Sequence, residues 1–151
     1  MNIASLDTPV GRLGLLEQGG AITRLVWNTE NQGTFTKTLA DGCHQLAAYF
    51  EGRLEVFDLP LRVAGSDFQR AVCRAMSAIP FGRTRTYGEI AAELGASAQA
   101  VGNACGNNPI PVIIPCHRVL GVGGLGGFSG AGGIETKVAL LRHEGAAGLL
   151  I

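Results

Sequence analysis

Cys116 and His117 stand side by side in Pro115-Cys116-His117-Arg118-Val119, at the end of the apolar run 110–114. A thiolate, not a thiol, is the attacking form of cysteine, and free cysteine titrates near ~8.5. A neighbouring base can take the thiol proton, and dry surroundings leave the resulting thiolate poorly solvated and reactive toward a carbon electrophile. Taken alone, the pair reads equally well as a buried cysteine on a strand end. The other three cysteines, at 43, 73 and 105, form no Cys-x-x-Cys pair. With no secretory signal read at the start of the chain, neither a disulfide framework nor a zinc site is expected. Cys43-His44 is the second Cys-His neighbour, but adjacent helical residues point in different directions. Gly121-Val-Gly-Gly-Leu-Gly126 formally matches G-x-G-x-x-G. No βαβ unit follows it and no acidic residue lies at the required distance, so a dinucleotide site is rejected. Eight glycines in residues 121–133 read instead as a close-approach pocket loop.

The elements that must hold this thiol can be read from local signals. Thr8–Leu16 and Ile22–Trp27 read as two strands, with Gly19-Gly20 as a hairpin turn between them. His44–Phe50 reads as a helix stopped by Gly52, and Leu59-Pro60-Leu61 as an extended connector. Ser66-Asp67 offers an N-cap, after which Phe68, Val72, Met76 and Ile79 recur at helical spacing as one buried stripe. Pro80-Phe81-Gly82 ends that helix. Thr86 caps a helix from Tyr87 to Leu94, Gly95 turns the chain, and Ser97 caps a helix from Ala98 to about Cys105. Helix, glycine turn, helix is the helix-turn-helix pattern, which taken alone is more often ordinary packing than DNA binding.

The 151 residues allow one or two small domains with a core. Twelve basic and twelve acidic residues balance, so no global field draws the chain to nucleic acid. Residues 1–63 carry 5 basic and 7 acidic groups, net −2; residues 64–151 carry 7 and 5, net +2. No apolar run reaches membrane-spanning length. A reducing, cytoplasmic setting is expected, which a working thiol needs.

Pro115-Cys-His-Arg-Val119 follows Tyr87-Gly-Glu-Ile-Ala-Ala-Glu-Leu-Gly95 and Asn107-Asn108-Pro109, and precedes Gly127-Phe-Ser-Gly130 and Lys137-Val-Ala-Leu-Leu-Arg-His-Glu-Gly145. In this order the set resembles the O6-alkylguanine-DNA alkyltransferases (methylated-DNA–protein-cysteine methyltransferases), strongly over residues 66–145 and more loosely over 8–63. The resemblance implies an α/β (α+β) chain. A small ribonuclease-H-like scaffold would occupy residues 1–63, and a mostly helical DNA-binding and alkyl-transfer domain residues 64–151. It implies irreversible transfer of the O6-alkyl group of guanine to Cys116, one turnover per molecule and no cofactor, by a monomer acting on double-stranded DNA from the minor groove.

The same resemblance assigns the roles. Cys116 is the nucleophile and His117 its base; Glu144 holds and polarises the histidine, a bridging water being one way to do so. Tyr87 gives a proton to the leaving guanine. The backbone near Cys116 and Val119, together with Ser129 and Phe128, contacts the base; Pro111 walls the pocket, and Asn108 ties the helix pair to the reactive segment. Arg118 is structural. DNA contact falls to Ser97, Ala98, Gln99, Ala100, Gly102 and Asn103 of the second helix, and to Arg85. The base must be extruded from the stack to reach a buried thiol. The family's intercalating arginine is replaced here by Gln99, and Ser97–Pro109 contains no lysine or arginine. Three other readings stay open on the residues alone: a lesion-binding relative with little transfer, a helix-turn-helix regulator, and a cysteine hydrolase.

Overall fold

The computed structural model describes residues 1–128 and 130–146 and divides into two units, Met1–Ala64 and Gly65–Ile151. In the first, β1 (Asn2–Thr8), β2 (Gly11–Gln18) and β3 (Ala21–Trp27) form an antiparallel sheet in that order. Gly19 and Gly20 both have positive φ, 61° and 83°, the conformation a two-residue hairpin turn needs to match strand twist. Leu13 and Leu15, two apart on β2, point to one face and are fully buried with Ile22 of β3. Helix α1 (Lys37–Phe50) covers that face with Leu39, Leu46 and Tyr49.

Two expectations for this unit are corrected. The stretch Thr8–Leu16 is not one strand: β1 ends at Thr8 and β2 begins at Gly11, paired across the turn as Thr8↔Gly11. Helix α1 starts seven residues before His44, capped by Thr36, whose side chain accepts from the Leu39 N–H at 3.2 Å. Asp41-Gly42 inside it carries a turn signature. The glycine is there because a Cβ would come within 2.5 Å of Leu15 Cδ1 and 3.2 Å of Ile22 Cδ1. Helix and sheet approach too closely at that point for a side chain.

The second unit opens with α2 (Asp67–Ser77), capped by Ser66. Its Val72 and Met76, with Ile79 just beyond, are buried, whereas Phe68 at the first turn is only half-buried. Strand β4 (Arg85–Thr86) leads into α3 (Tyr87–Leu94). Thr86 and Glu89 form a reciprocal capping box there, so two amide donors of the first turn find partners. Gly95 ends α3 in the left-handed conformation at φ 66°, and Ser97 caps α4 (Ala98–Gly106). The helix-turn-helix is therefore formed at the expected residues. Strand β5 (Val119–Leu120) pairs in parallel with β4, so the end of the reactive segment lies beside the start of α3. Helix α5 (Ile134–Glu144) closes the described part.

The apolar run ahead of Cys116 is not a strand, contrary to expectation. Residues 110–114 fold back on themselves, with the Ile114 N–H donating to the Ile110 carbonyl at 2.8 Å. Val112 sits at φ 72°, a conformation that is strained for a β-branched residue. Cys116 then opens a single 3-10 turn, Cys116–Arg118.

Candidate active site

The fold-back places Cys116, and Asn108 holds the fold-back. The Asn108 side-chain amide donates to the Ile114 carbonyl at 2.8 Å, and its oxygen accepts the Ile110 N–H at 3.0 Å. One buried side chain thus closes both ends of the strained turn. The Cys116 thiol, only 5% exposed, has its proton affinity raised by burial, with Asn108 and the Lys137 charge pulling the other way. The resting group is a thiol, and forming the thiolate requires a base and a compensating charge.

His117 follows Cys116 on the same turn. It is wholly buried, and its Nε2 lies 2.8 Å from Glu144 Oε2. Beside a carboxylate, Nε2 carries the hydrogen, which leaves Nδ1 as the basic nitrogen. Nδ1 is buried and bonds to no protein atom among the described residues. Burial lowers the proton affinity of His117; Glu144 raises it, and the charges of Arg118 and Lys137 lower it. The contact between His117 and Glu144 is direct. Glu144 is also held by Arg118, whose Nε donates to Oε1 at 2.8 Å and Nη2 to Oε2 at 2.9 Å. The remaining Arg118 nitrogen, Nη1, donates to the Ile79 carbonyl at 2.7 Å, and the guanidinium lies 5.9 Å from the Phe81 ring centroid.

Lys137, which sequence reasoning treated only as part of a motif, belongs to the same site. It is fully buried, and its Nζ donates to the Val119 carbonyl at 2.6 Å and the Gly127 carbonyl at 3.1 Å. It also lies 5.8 Å from the Tyr87 ring centroid. Burial pushes its pKa down from 10.5 to about 8, and the Cys116 and Cys105 thiols oppose that fall. Among the described residues no carboxylate pairs with it. The signal was present in the sequence: residues 137, 140, 141 and 144 share one helical face. Two charged residues, Lys137 and Glu144, therefore sit on the same buried stripe as Leu140 and Leu141.

A cavity of about 440 Å³ opens onto the thiol, lined by Tyr87, Gly102, Cys105, Gly106, Cys116, Gly127 and Phe128. This is the size range of small-molecule sites. Tyr87, half-buried at the first position of α3, has its pKa raised by burial and by the neighbouring thiols, while a Gly127 backbone bond opposes the rise. A Cβ at Gly126 would come within 2.7 Å of the Tyr87 hydroxyl, so a bare backbone at 126 leaves the phenol its place. Phe128 lines the cavity as expected, and Ser129 lies outside the described residues. Pro111 does not line the cavity. The turn at Val112 keeps it buried within residues 110–114. The Val119 carbonyl already accepts from Lys137, which leaves its second lone pair for a base.

On α4, Ser97, Ala98, Gln99 and Asn103 are exposed, and Ala100 and Gly102 are half-exposed. The Ser97 hydroxyl accepts the Ala100 N–H at 3.1 Å, so the cap is occupied by the helix itself. Arg85 is drawn back onto α3, 3.4 Å from Glu93 Oε1 and 3.4 Å from the Glu89 carbonyl. Its charge is partly answered there, rather than held out for phosphate. Among the described residues no group of three or more potential ligands could hold a metal, and no helix is long and apolar enough to cross a membrane.

A thiol with a buried histidine–carboxylate pair, opening on a cavity beside a helix-turn-helix, defines a nucleophilic cysteine protein of nucleic-acid-binding architecture. Comparison with known proteins gives the family. Residues 1–63 match the ribonuclease-like domain, and residues 67–146 the DNA-binding domain, of 6-O-methylguanine DNA methyltransferase. The methylated-DNA–protein-cysteine methyltransferase of Mycolicibacterium paratuberculosis is 44% identical over 147 residues, which span 95% of this chain and 85% of that protein. The constitutive enzyme of that name from Bacillus subtilis is 38% identical, over 91% of this chain and 92% of its own. The crystal structure of Mycobacterium tuberculosis O6-methylguanine methyltransferase superposes with a TM-score of 0.84 at 40% identity, covering 95% of this chain and 92% of that one. A structure of the OGT of M. tuberculosis in complex with DNA gives 0.84 at 43%, covering 96% and 93%. The chain belongs to the 6-O-methylguanine DNA methyltransferase family. Its class of activity is methyl transfer to protein cysteine in direct-reversal DNA repair, with DNA as its partner.

Proposed function

We propose that Cys116 takes the alkyl group from O6-alkylguanine in double-stranded DNA, in a reaction run by the residues around it. His117 Nδ1 receives the thiol proton. The sulfur attacks the alkyl carbon from the side opposite oxygen; a C–S bond forms, the C–O bond breaks, and the bonding pair leaves with guanine. Tyr87 protonates the departing base, and the proton on His117 makes good the loss. Glu144 fixes the imidazole tautomer and stabilises the imidazolium. Lys137 lowers the cost of negative charge at sulfur and, through the cavity, at the leaving base. The thioether is not hydrolysed under ordinary conditions, so each molecule acts once.

The observation that carries this reading is the buried Cys116 thiol at the cavity wall, followed in the chain by a wholly buried His117 that Glu144 holds by its Nε2. A base in a duplex reaches that depth only by leaving the stack. Approach from the minor groove fits the small, uncharged surface of α4, and the chain acts as a monomer. The cytoplasm, where thiols stay reduced, suits an unprotected acceptor. Incubation with a duplex carrying O6-methylguanine, followed by intact-mass and peptide analysis, tests the proposal. A persistent gain of one methyl on Cys116 with guanine restored supports it. Unchanged protein with the lesion intact, or repeated turnover, refutes it.

A further inference from the structure

We propose that Arg118 is a positioning residue for the transfer: by gripping Glu144 on both oxygens, it keeps His117 free of a proton until the thiol delivers one. The inference rests on the reading of His117 as the base. A buried imidazole facing a lone buried carboxylate is drawn toward the imidazolium–carboxylate pair, because an opposite charge at hydrogen-bond distance favours the charged ring. A base that already holds a proton in the resting protein cannot take one from Cys116.

The structure answers that tendency with geometry. Arg118 Nε reaches Glu144 Oε1 and Nη2 reaches Oε2, at 2.8 and 2.9 Å. His117 shares only Oε2, at 2.8 Å. The third arm of the fork is fixed by the Ile79 carbonyl at 2.7 Å, and the whole side chain is buried. The guanidinium and carboxylate together are neutral. A proton added to His117 therefore creates a net buried positive charge, where without Arg118 it would neutralise a negative one. Among the described residues the charges that act on the ring are Arg118 on its own turn and Lys137 and Glu144 from α5, with Cys116 preceding it in the chain. Burial of the ring is the largest cause that opposes its protonation, and the charges of Arg118 and then Lys137 work in the same direction. When the thiol proton does arrive, thiolate and imidazolium form together, so the site's net charge does not change. Arg118 opposes protonation from solvent while leaving internal transfer open.

Two measurements test this. In the first, the His117 ring is followed by heteronuclear NMR in the wild-type protein without DNA. It is expected to stay neutral, protonated on Nε2, through the range where an ordinary histidine titrates, near ~6.5. A ring that gains its proton at or above that range overturns the proposal, and because no alkyl transfer is involved, the result stands apart from whether Cys116 is the acceptor. In the second, single-turnover transfer is followed against pH for Arg118→Met and Arg118→Lys. Arg118→Met should move the acid limb of the profile upward by about one pH unit or more, the scale of a neighbouring-charge effect. Arg118→Lys, which keeps the charge but loses the fork, should recover most of that shift. A folded Arg118→Met protein whose limb coincides with wild type sinks the idea, as does an Arg118→Lys limb no closer to wild type than that of Arg118→Met. If Arg118→Met does not fold, the wild-type titration still decides, together with the Arg118→Lys limb against wild type: a limb within about half a pH unit supports the proposal and one displaced by about a full unit overturns it.

Discussion

Replacing Lys137 with methionine removes a buried ammonium while keeping an unbranched chain of similar length. Two opposed costs can be worked out. Lys137 has its pKa lowered from 10.5 to about 8 by burial, and at ~1.4 kcal/mol per unit this drop costs the folded protein ~3 kcal/mol wherever the group is charged. Against this, the methionine leaves the Val119 and Gly127 carbonyls without their donor, at ~1–3 kcal/mol for each buried acceptor. At neutral pH the two nearly cancel, and stability changes little. Between about pH 8 and 10.5 the wild-type folded state has released this proton and the unfolded chain still holds it, so unfolding takes up a proton and stability rises with pH. Relative to Lys137→Met, the wild type should gain ~3 kcal/mol across that window. The cysteines pull oppositely in both proteins: their pKa values are raised by burial, so they destabilise the fold as pH rises above their unfolded values, and largely drop out of the difference. Urea denaturation at a series of pH values reads it directly. Transfer should fall roughly tenfold to a hundredfold at neutral pH, for loss of one preorganised charge. The alkaline decline in the wild-type rate, as Lys137 discharges near about 8, should disappear. A stability difference that stays flat with pH, with a transfer rate within twofold of wild type, would refute the buried ammonium as an electrostatic element of the site.

Cys116→Ser should abolish methyl transfer while binding lesion duplex within about twofold of wild type by fluorescence anisotropy, since a hydroxyl keeps the shape but not the soft nucleophile; a labelled alkyl group on the mutant would contradict the assignment. Glu144→Gln leaves Arg118 and His117 without their shared anion and should cost ~3–5 kcal/mol in denaturant unfolding, as breaking a buried ion pair does. Asn108→Ala orphans the Ile114 carbonyl and the Ile110 N–H and should cost ~2–4 kcal/mol. Its transfer rate should fall with it because the strained turn at Val112 relaxes, and a rate unchanged at full stability would separate Asn108 from the placement of Cys116. Gln99→Arg should tighten DNA binding and steepen the dependence of log affinity on log salt by about 0.9, one added phosphate contact; identical affinity and slope would mean that position 99 does not face the backbone.

The legible parts of the chain are those whose cause is local. Ser66, Thr86 and Ser97 each cap their own helix within three residues, and Gly95 ends α3 by its own freedom of φ. The helix-turn-helix could therefore be read residue by residue. Strand β1 could not: its partners are β2 and, through Ile3, the distant Gln32, and Asn2, Ser5, Asp7 and Thr8 along it are polar. Gly42 misleads because it answers Leu15 and Ile22 across the sheet rather than a turn in its own segment. Nor does Ile110–Ile114 announce its fold-back. Five apolar residues carry the pattern of a buried strand, and what bends them is the Asn108 side chain outside the run. The resemblance placed Cys116, His117 and Glu144 together. What it did not convey is how their charges are balanced.

That balance sets the direction of the chemistry. Around the thiol, among the described residues, two cations, Arg118 and Lys137, and one carboxylate, Glu144, are buried. Arg118 and Glu144 answer each other, so the resting site holds one cation, which faces the Cys116 and Cys105 thiols and the Tyr87 ring. A buried charge without a carboxylate partner costs the resting protein stability, and an anion formed beside it would recover part of that cost. In the proposed reaction, passing the Cys116 proton to His117 would produce an anion at sulfur with Lys137 already in place, so no protein dipole would have to reorganise as the charge forms. In the proposed transfer the negative charge would then depart with guanine toward Tyr87, whose ring lies against the same ammonium. One fixed cation thus serves the charge at both ends of its path. Neither end can be neutralised beforehand by a carboxylate without losing the stabilisation, which is a physical reason for Lys137 to stand apart from the acid that Arg118 and His117 share.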